Sequence, residues 1–419
     1  MLIIAVWCAV FLIRLMPVGG SWLELDKFTW TIFILWAIIY FGSILLGLSR
    51  VSEKTYISIQ PSSKWLNYWV RRLCLFSSVG AFLIIFEFAI TRGYGFSTPV
   101  AVVRMMEVDA ASSGFEGSWL SGIGRMLTPA LMVAWILAVL EWSVLRKRTL
   151  VILCISSAVI LYQQIMFEGG RFYLAAILVM IFLVRSFVSQ YKSNEPRVAG
   201  KKLLWIILFV VICLIFGYMF VDRYQQSNQI FSVAYEAWAA NFDLELNDEV
   251  ILRLSGKMAA VWLAVCMLWA YVTQGINELN SLLVSSPPDL AWGTMQFPQI
   301  AQALNKLSGL QFRYDELGNL PKSGTYITLY GASYIDFGYF GAYIFVGFIG
   351  WFTGRAIRQL NAHHLNALSL TAPILVTLGI FSPIVSLVVN LWPAFCWALL
   401  VGGSLKFYSR KIDKKKMLA

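Results

Sequence analysis

The sequence predicts an all-α, polytopic integral membrane protein with about ten transmembrane helices and one further re-entrant or interfacial helix. Hydrophobic residues make up 59% of the 419 residues and charged residues only 13%, a composition that a soluble protein of this length does not keep in solution. Apolar runs long enough to cross a bilayer recur along the chain. The basic residues collect in alternate connections between these runs, which is typical of a membrane protein with a defined orientation.

Ten apolar runs have about the length of a membrane-spanning helix. An eleventh run, 257–272, is ambiguous by hydropathy alone, so the charges of the connections must decide whether it crosses. The ten runs are 2–16, 28–48, 66–90, 126–145, 149–167, 171–190, 203–222, 336–354, 368–389 and 391–408.

Lysine and arginine predict the orientation of the spans. Five segments hold 21 of the 33 basic residues, and by the positive-inside rule these segments face the cytoplasm. Both termini then face the cytoplasm, provided that 257–272 does not complete a crossing. We therefore predict one integral membrane domain, 1–419, in which 223–335 is a long outer excursion containing a re-entrant helix at 257–272. The basic segments are 50–72, 146–148, 185–202, 355–358 and 406–416.

Residue placement excludes several classes of function. The basic residues are scattered singly or flank apolar spans, which argues against nucleic-acid binding despite a net charge of +11. All six cysteines lie in apolar runs, so neither a disulfide framework nor a cysteine metal site is expected. No glycine-rich nucleotide loop is present, which argues against ATP and nucleotide sugars as substrates. The N-terminal run lacks a signal cleavage site and is expected to be a retained helix.

The stretch from Gly324 to Arg355 is the most informative part of the sequence. Its first half surrounds one carboxylate, Asp336, with tyrosines and glycines, and its second half is apolar for about the length of a span. One interpretation is an interfacial aromatic belt above glycines that pack membrane helices. The other is a polar loop that enters the membrane and binds a ligand. The tyrosines are Tyr326, Tyr330 and Tyr334.

The order Thr325-Tyr326, then Tyr334-x-Asp336-Phe337-Gly338-x-x-Gly341 before a glycine-rich span, resembles the final outer loop of bacterial O-antigen polymerases, the Wzy family. The resemblance covers roughly 160–360 through short, spaced motifs. It implies a GT-C-like, all-helical glycosyltransferase of the bacterial inner membrane with a periplasmic active site. Such an enzyme moves a growing glycan from undecaprenyl diphosphate onto the sugar of another lipid-linked repeat unit.

The turn Glu168-Gly169-Gly170-Arg171 lies between two predicted spans on the outer side. Gly169 and Gly170 would let the backbone approach a ligand while the Arg171 guanidinium pairs with a phosphate. The alternative is an interfacial arginine whose charged group reaches water. A Gly-Gly-Arg turn at this place is also similar to the O-antigen polymerases.

Arg223 follows the seventh predicted span on the outer side. The resemblance implies that this permanently charged group faces the lipid diphosphate, whereas the alternative is a local pair with Asp222. Arg171 and Arg223 are therefore the predicted catalytic cations, with Arg104 and Arg253 in reserve. Because these arginines supply positive charge and the outer loops contain no histidine, no metal or other cofactor is expected, although Asp243-x-Glu245 and Glu24-x-Asp26 weakly mimic metal pairs.

Glycosyl transfer needs a base close to the attacking hydroxyl of the acceptor sugar. Acids of the outer excursion are candidates, although most acids there are expected to be solvated loop residues. An amide- and aromatic-rich patch follows 257–272 and offers groups that stack on sugar rings and bond their hydroxyls, while Gln274 and Asn280 could instead cap helix ends. The candidate acids are Asp336, Glu236 and Asp243, and the candidate sugar ligands are Tyr271, Gln274, Asn280, Tyr326, Tyr330 and Tyr334.

Three other functions remain open from the sequence. An O-antigen ligase would have a similar architecture, but the only histidines, His363 and His364, lie in a predicted cytoplasmic connection. A transporter or flippase of lipid-linked oligosaccharide would favour an internal repeat and ionisable groups near the middle of the membrane. A structural subunit of an envelope-polysaccharide complex would need no site. The expected partners of a polymerase are undecaprenyl-diphosphate-linked oligosaccharides, membrane lipid and a chain-length regulator protein.

The predicted topology can be tested by cysteine labelling. With the six native cysteines replaced, Ser285→Cys and Asn305→Cys should react with a membrane-impermeant maleimide added from the outside, because both follow a helix that enters and leaves on that face. Lys147→Cys, in a predicted cytoplasmic connection, is the matched control and should react only after the membrane is opened. Labelling of Ser285→Cys only from the cytoplasmic side would contradict the topology.

Overall fold

The computed structural model describes residues 2–16, 20–22, 24–49, 61–91, 93, 118–164, 167, 171–191, 244–246, 256–285, 290–308, 327–361 and 366–417. The regular secondary structure of this part is helical, apart from one short antiparallel ladder that joins β1 (Gly20–Trp22) to β2 (Leu244–Leu246). The helices are α1 (Leu2–Arg14), α2 (Lys27–Ser49), α3 (Ser63–Thr91), α4 (Trp119–Leu127), α5 (Ala130–Leu140), α6 (Lys147–Gln163), α7 (Arg171–Tyr191), α8 (Gly256–Val284), α9 (Pro298–Ser308), α10 (Leu329–Asn361), α11 (Ala367–Phe381) and α12 (Val388–Met417).

The helical fold class is confirmed, and each predicted span except 203–222 overlaps one of these helices; 203–222 lies outside the described residues. Within the described residues, five helical stretches are long and apolar enough to cross a membrane, so the chain has the character of a multi-pass membrane protein. The number of ten crossings stays a prediction. The five stretches are Lys27–Ser49, Ser63–Ile90, Trp119–Leu140, Leu329–Asn361 and Val388–Leu405.

Polar contacts and small residues hold α3 between two neighbours. The α3 and α6 helices run parallel, because the Arg71 Nε donates to the Thr149 hydroxyl (2.9 Å) and the Ser78 hydroxyl, further along α3, donates to that of Ser156 (3.0 Å). On another side of α3, a side chain at Gly80 would collide with the backbone of α4 at Gly124. Glycines thus permit the close antiparallel contact of α3 and α4.

The α2 helix also packs closely, and in parallel, against the second part of α10. A side chain at Gly350 would collide with the backbone oxygen of Tyr40, and one at Gly354 with that of Ile44, one turn further along both helices. At the other end of the contact, the ring centroids of Phe28 and Tyr339 lie 5.9 Å apart. We call the end at which α1 stops and α2 begins the outer end, because the sequence predicts that it faces outward.

The α10 helix is a hairpin of two arms. Gly338 has a φ of +67°, a positive value that favours glycine, and breaks the helical geometry. The arms 329–337 and 339–361 then run antiparallel, since Tyr334 contacts Tyr339 (4.6 Å between ring centroids) and Tyr330 contacts Tyr343 (5.0 Å). This corrects the prediction of a tyrosine-rich loop ahead of a single span at 336–354: the tyrosines at 330 and 334 are helical and buried.

The first arm of α10 begins deep inside the bundle. The Tyr330 ring lies 5.9 Å from that of Trp36, whereas the tip of the hairpin lies beside Phe28. Eight residues of α2 separate these two levels, so the arm starts about 12 Å below the outer end. The sequence predicts a helix that enters the bundle without crossing it at 257–272, but none at 329–337.

The α11 helix ends at the same depth as the first arm of α10. Its last turn contacts the middle of α1 and α2, where the Trp7 indole N–H donates to the Gly379 oxygen (2.9 Å). The predicted span 368–389 is therefore wrong in its extent, because the helix stops at Phe381 and a turn leads to α12 at Val388. Pro383 contributes to the break, since it has no N–H to donate to the Gly379 oxygen, which instead accepts the Ser382 hydroxyl and the Trp7 indole N–H.

The α8 helix extends well beyond the predicted end at residue 272 and touches the outer ends of the first two helices. Arg14 donates from Nη2 to the Asn277 Oδ1 (2.8 Å), and the backbone N–H of Asp26 donates to the Asn280 Oδ1 (3.0 Å). The β1–β2 ladder likewise joins 20–22 to 244–246. The predicted excursion 223–335 thus contacts the connection between the first two predicted spans, 2–16 and 28–48. Whether 257–272 is re-entrant stays a prediction.

The glycine contact between α2 and α10 predicts a specific loss of stability. Gly354→Ala should destabilise the protein by about 1–3 kcal/mol, because the two backbones must separate to admit a methyl group. Gly42→Ala is the matched control on α2, since nothing lies within 4 Å of a methyl group there. Thermal unfolding of detergent-solubilised protein should show a lower melting temperature for Gly354→Ala only, and equal melting temperatures would contradict the packing.

Candidate functional site

Three non-helical or broken segments meet along the first α10 arm, and we call them the polar junction: 290–297, 327–338 and 382–387. Their backbones pair with one another in the bundle interior. Leu329 N–H donates to the Ser382 oxygen (3.0 Å), and Ser386 N–H donates to the Ile327 oxygen (2.7 Å). Because an unpaired peptide group is costly in apolar surroundings, these bonds make it possible for the chain to leave helical geometry at this depth.

The segment 290–297 is fastened to the outer part of the first arm. The N–H groups of Ala291 and Trp292 donate to the backbone oxygens of Ile335 and Asp336, each at 3.0 Å. These oxygens lie where the arm ends at Gly338 and would otherwise lack partners within the helix. The segment therefore completes the hydrogen bonding of the broken helix.

The Asp336 carboxylate adds a second attachment for the same segment. Its Oδ1 accepts the backbone N–H of Met295 and its Oδ2 that of Gln296, both at 2.9 Å, and the side chain is fully buried. A carboxylate that accepts backbone N–H groups through both oxygens is held in one position. In this structure Asp336 positions the backbone of 290–297; its predicted role as a catalytic base is not tested by this geometry.

Gln296 connects all three segments of the junction. Its Nε2 donates to the Ser333 hydroxyl (3.1 Å), and its Oε1 accepts the hydroxyl of Ser386 (3.1 Å). Gln296 and Ser333 are fully buried. Sequence reasoning missed Gln296, Ser333 and Ser386, since single polar residues in separate apolar surroundings give no signal until the fold brings them together.

The buried hydroxyls of Tyr330 and Tyr343 interact with each other across the two arms of α10. Two other buried polar atoms around the junction have no hydrogen-bond partner among the described residues, the Thr294 hydroxyl and the Gln274 Nε2. Gln274 lies next to the junction along the chain, since Gly275, the following residue of α8, packs against the backbone of Ile384. Buried polar groups are normally satisfied by protein, water or ligand, so these atoms mark where a hydroxyl-bearing molecule could bind.

The structure brings part of the predicted site together. Asp336, Tyr330 and Tyr334 lie on one arm and Gln274 packs beside the junction, but all four side chains are buried. Asn280 does not cap its own helix; its Oδ1 accepts the Thr29 hydroxyl (2.8 Å) and caps the start of α2. Gln274 likewise lies inside α8, so neither residue ends that helix.

The predicted cations and most of the predicted acids are not located by the structure. Arg171 is the first residue of α7, as expected for the Gly-Gly-Arg turn, but its side chain lies outside what is described, as does that of Tyr271. The remaining predicted residues lie outside the described residues altogether: Gly169, Gly170, Arg104, Arg223, Glu236, Asp243, Arg253 and Tyr326.

Comparison with known proteins adds no identification. No protein-family model, no curated protein and no solved structure matches this chain. Among the described residues, no group of three or more histidine, cysteine, aspartate or glutamate side chains is placed to hold a metal ion.

The attachment through Asp336 predicts a local change in exchange protection. Asp336→Asn replaces one acceptor oxygen by an NH₂ group, which leaves the N–H of Met295 or Gln296 without a partner at a cost of about 1–3 kcal/mol. Hydrogen–deuterium exchange of 290–297 should become faster. Asp26→Asn is the matched control, because the exposed Asp26 carboxylate also accepts a backbone N–H, that of Phe28 (2.7 Å), and asparagine replaces it well there. Unchanged exchange in Asp336→Asn would contradict the attachment.

Proposed function

We propose that this chain is an inner-membrane glycosyltransferase that polymerises undecaprenyl-diphosphate-linked oligosaccharide repeat units into O-antigen or a related surface polysaccharide. The observation that carries the proposal is the polar junction: a hydroxyl- and amide-rich interior that the helical bundle surrounds. Groups of this kind bind sugars through hydroxyl hydrogen bonds and ring stacking. The sequence resemblance supplies the substrate class.

Contacts of the excursion support an active site on the periplasmic side. The ladder of 20–22 with 244–246 and the bonds of Asn277 to Arg14 and of Asn280 to Asp26 join the excursion to the end of α1, the start of α2 and the connection between them. A chain that keeps both segments on one face satisfies these contacts. The same orientation places both termini and the basic connections in the cytoplasm.

The proposed chemistry assigns the binding of sugars and the neutralisation of the diphosphate to different segments. The junction segments contain one charged residue, Asp336, and its carboxylate is already engaged by backbone N–H groups. The junction therefore suits the neutral sugars of donor and acceptor. Arg171 and Arg223 would neutralise the departing diphosphate as its charge develops, and an acid of the excursion, Glu236 or Asp243, would take the proton of the acceptor hydroxyl.

A transporter or flippase of lipid-linked oligosaccharide is the second candidate, and one observation favours it. Discontinuous helices that end near mid-depth, as the first arm of α10 does at Leu329 and α11 at Phe381, are a common feature of transporter substrate sites. The two candidates share the ligand but differ in product. A transporter changes the side on which the glycan is found, whereas a polymerase lengthens it.

The polymerase proposal predicts arginine dependence without metal dependence. Purified protein supplied with lipid-linked repeat units should form a ladder of products that survives EDTA, because arginines rather than a divalent cation neutralise the diphosphate. Arg171→Ala and Arg223→Ala should each lose most activity, and Arg223→Lys should also be impaired because a bidentate fork becomes a point charge. Arg355→Ala is the control, since Arg355 stacks on Trp351 (5.5 Å) at the inner end.

Two outcomes would contradict this proposal. Loss of activity in EDTA with recovery in Mg²⁺ or Mn²⁺, together with inactive Asp243→Asn, would move the site to the carboxylates. A deletion strain in which the lipid A core carries no glycan at all, rather than a single repeat unit, would favour a ligase over a polymerase.

A further inference from the structure

Trp292 combines two properties that no other described residue shares. It is the only non-glycine residue with a positive φ among the described residues, at +51°, and its side chain is the most exposed of the described tryptophans, at 70%. A left-handed conformation is strained for a bulky residue. Strain of this kind persists only where surrounding structure imposes it, and it is concentrated at functional sites.

Hydrogen bonds within the polar junction impose this conformation. The Trp292 N–H donates to the Asp336 backbone oxygen, and the N–H groups of Met295 and Gln296, further along the same segment, donate to the Asp336 carboxylate. Gly293 also has a positive φ, at +92°, and lies over the Phe337 ring. The turn is thus held rigidly at the tip of the α10 hairpin, with the indole outside it.

The position of this turn limits what the indole can contact. The hairpin tip lies at the outer end, where Tyr339 packs against Phe28 in the first turn of α2. Interfacial anchoring to lipid would suit a tryptophan at this height, but anchoring requires only depth and not a fixed, strained backbone. Trp119, 51% exposed in the first turn of α4, offers an exposed indole on ordinary helical backbone.

We infer that Trp292 is a pre-organised stacking platform for a sugar ring of the glycan, and that Asp336 is the positioning residue that orients it. The inference rests on the proposed function in taking a glycan as the ligand. Because the turn fixes the direction of the Trp292 Cα–Cβ bond, fewer ring orientations must be ordered when a sugar face stacks on the flat indole. The strain at Trp292 thereby maintains a binding surface that a relaxed turn would not present.

The test removes the indole ring of Trp292 and keeps the backbone conformation of the turn. In Trp292→Asn the left-handed conformation is retained, because asparagine tolerates it, but the ring is removed. We expect a melting temperature equal to or above that of the unchanged protein, together with about tenfold weaker glycan binding, which corresponds to one stacked ring. A residue that only packs in the fold would lower the melting temperature instead.

Full-length protein in lipid nanodiscs is the material, and the probe is the soluble repeat-unit oligosaccharide released by mild acid from the envelope glycan of the same strain. Binding is measured by saturation-transfer NMR. Trp292→Phe should retain most of the affinity and Trp292→Leu should lose it about as much as Trp292→Asn, since stacking needs a flat ring. Trp119→Leu is the matched control and should bind as the unchanged protein does.

Further outcomes decide the inference. Unaltered binding in Trp292→Asn or Trp292→Leu, or no glycan binding by the unchanged protein, would overturn it. Asp336→Asn should weaken binding, and combining it with Trp292→Asn should cause no further loss, because both act through one ring; full additivity would remove the positioning role. Binding that depends on Trp292 in a protein that forms no polymer would sustain the inference and reject the polymerase.

Discussion

The fold depends on the requirement that every peptide group in an apolar interior finds a hydrogen-bond partner. Helices meet this requirement by themselves, but the chain leaves helical geometry at Gly338 and between Phe381 and Val388. The resulting free groups pair across segments that are far apart in sequence, as Ser386 N–H does with the Ile327 oxygen. The breaks are therefore tolerable only because the peptide groups they free find partners: those near Gly338 pair with 291–292, and those after Phe381 pair with 327 and 329.

Long apolar runs made most helices predictable, because a peptide segment surrounded by hydrocarbon has no favourable alternative to the helix. Their ends were less predictable. Pro383 marks the end of α11, but the hydrophobic residues on both sides of it led to the prediction of one continuous span at 368–389. Gly338 could be a packing glycine or part of a ligand-binding loop, and nothing local indicates its positive φ. The amides after residue 272 were expected to bind sugar or to cap helix ends, yet they continue α8, where Asn277 and Asn280 bind other helices.

The candidate site was predictable in composition more than in geometry. Tyrosines, amides and Asp336 were expected to form an open surface, and several of them indeed lie around one junction. Their burial follows from the hairpin of α10, which turns both tyrosines of the first arm toward the second. Trp292 was missed because a strained conformation is set by tertiary hydrogen bonds, and a Trp-Gly pair in a polar connection does not reveal it.

The parallel contact of α2 with α10 has a consequence for how the protein is made. Glycines that meet across this contact, such as Gly47 and Gly354, are separated by most of the chain. Domains assemble from the N-terminus as the ribosome advances, so α2 enters the membrane long before its partner exists. During that interval α1 can cover part of it, since Trp7 contacts Phe33, Trp36 and Tyr40. The glycine face stays open to lipid or to an insertion factor until the last third of the chain is translated.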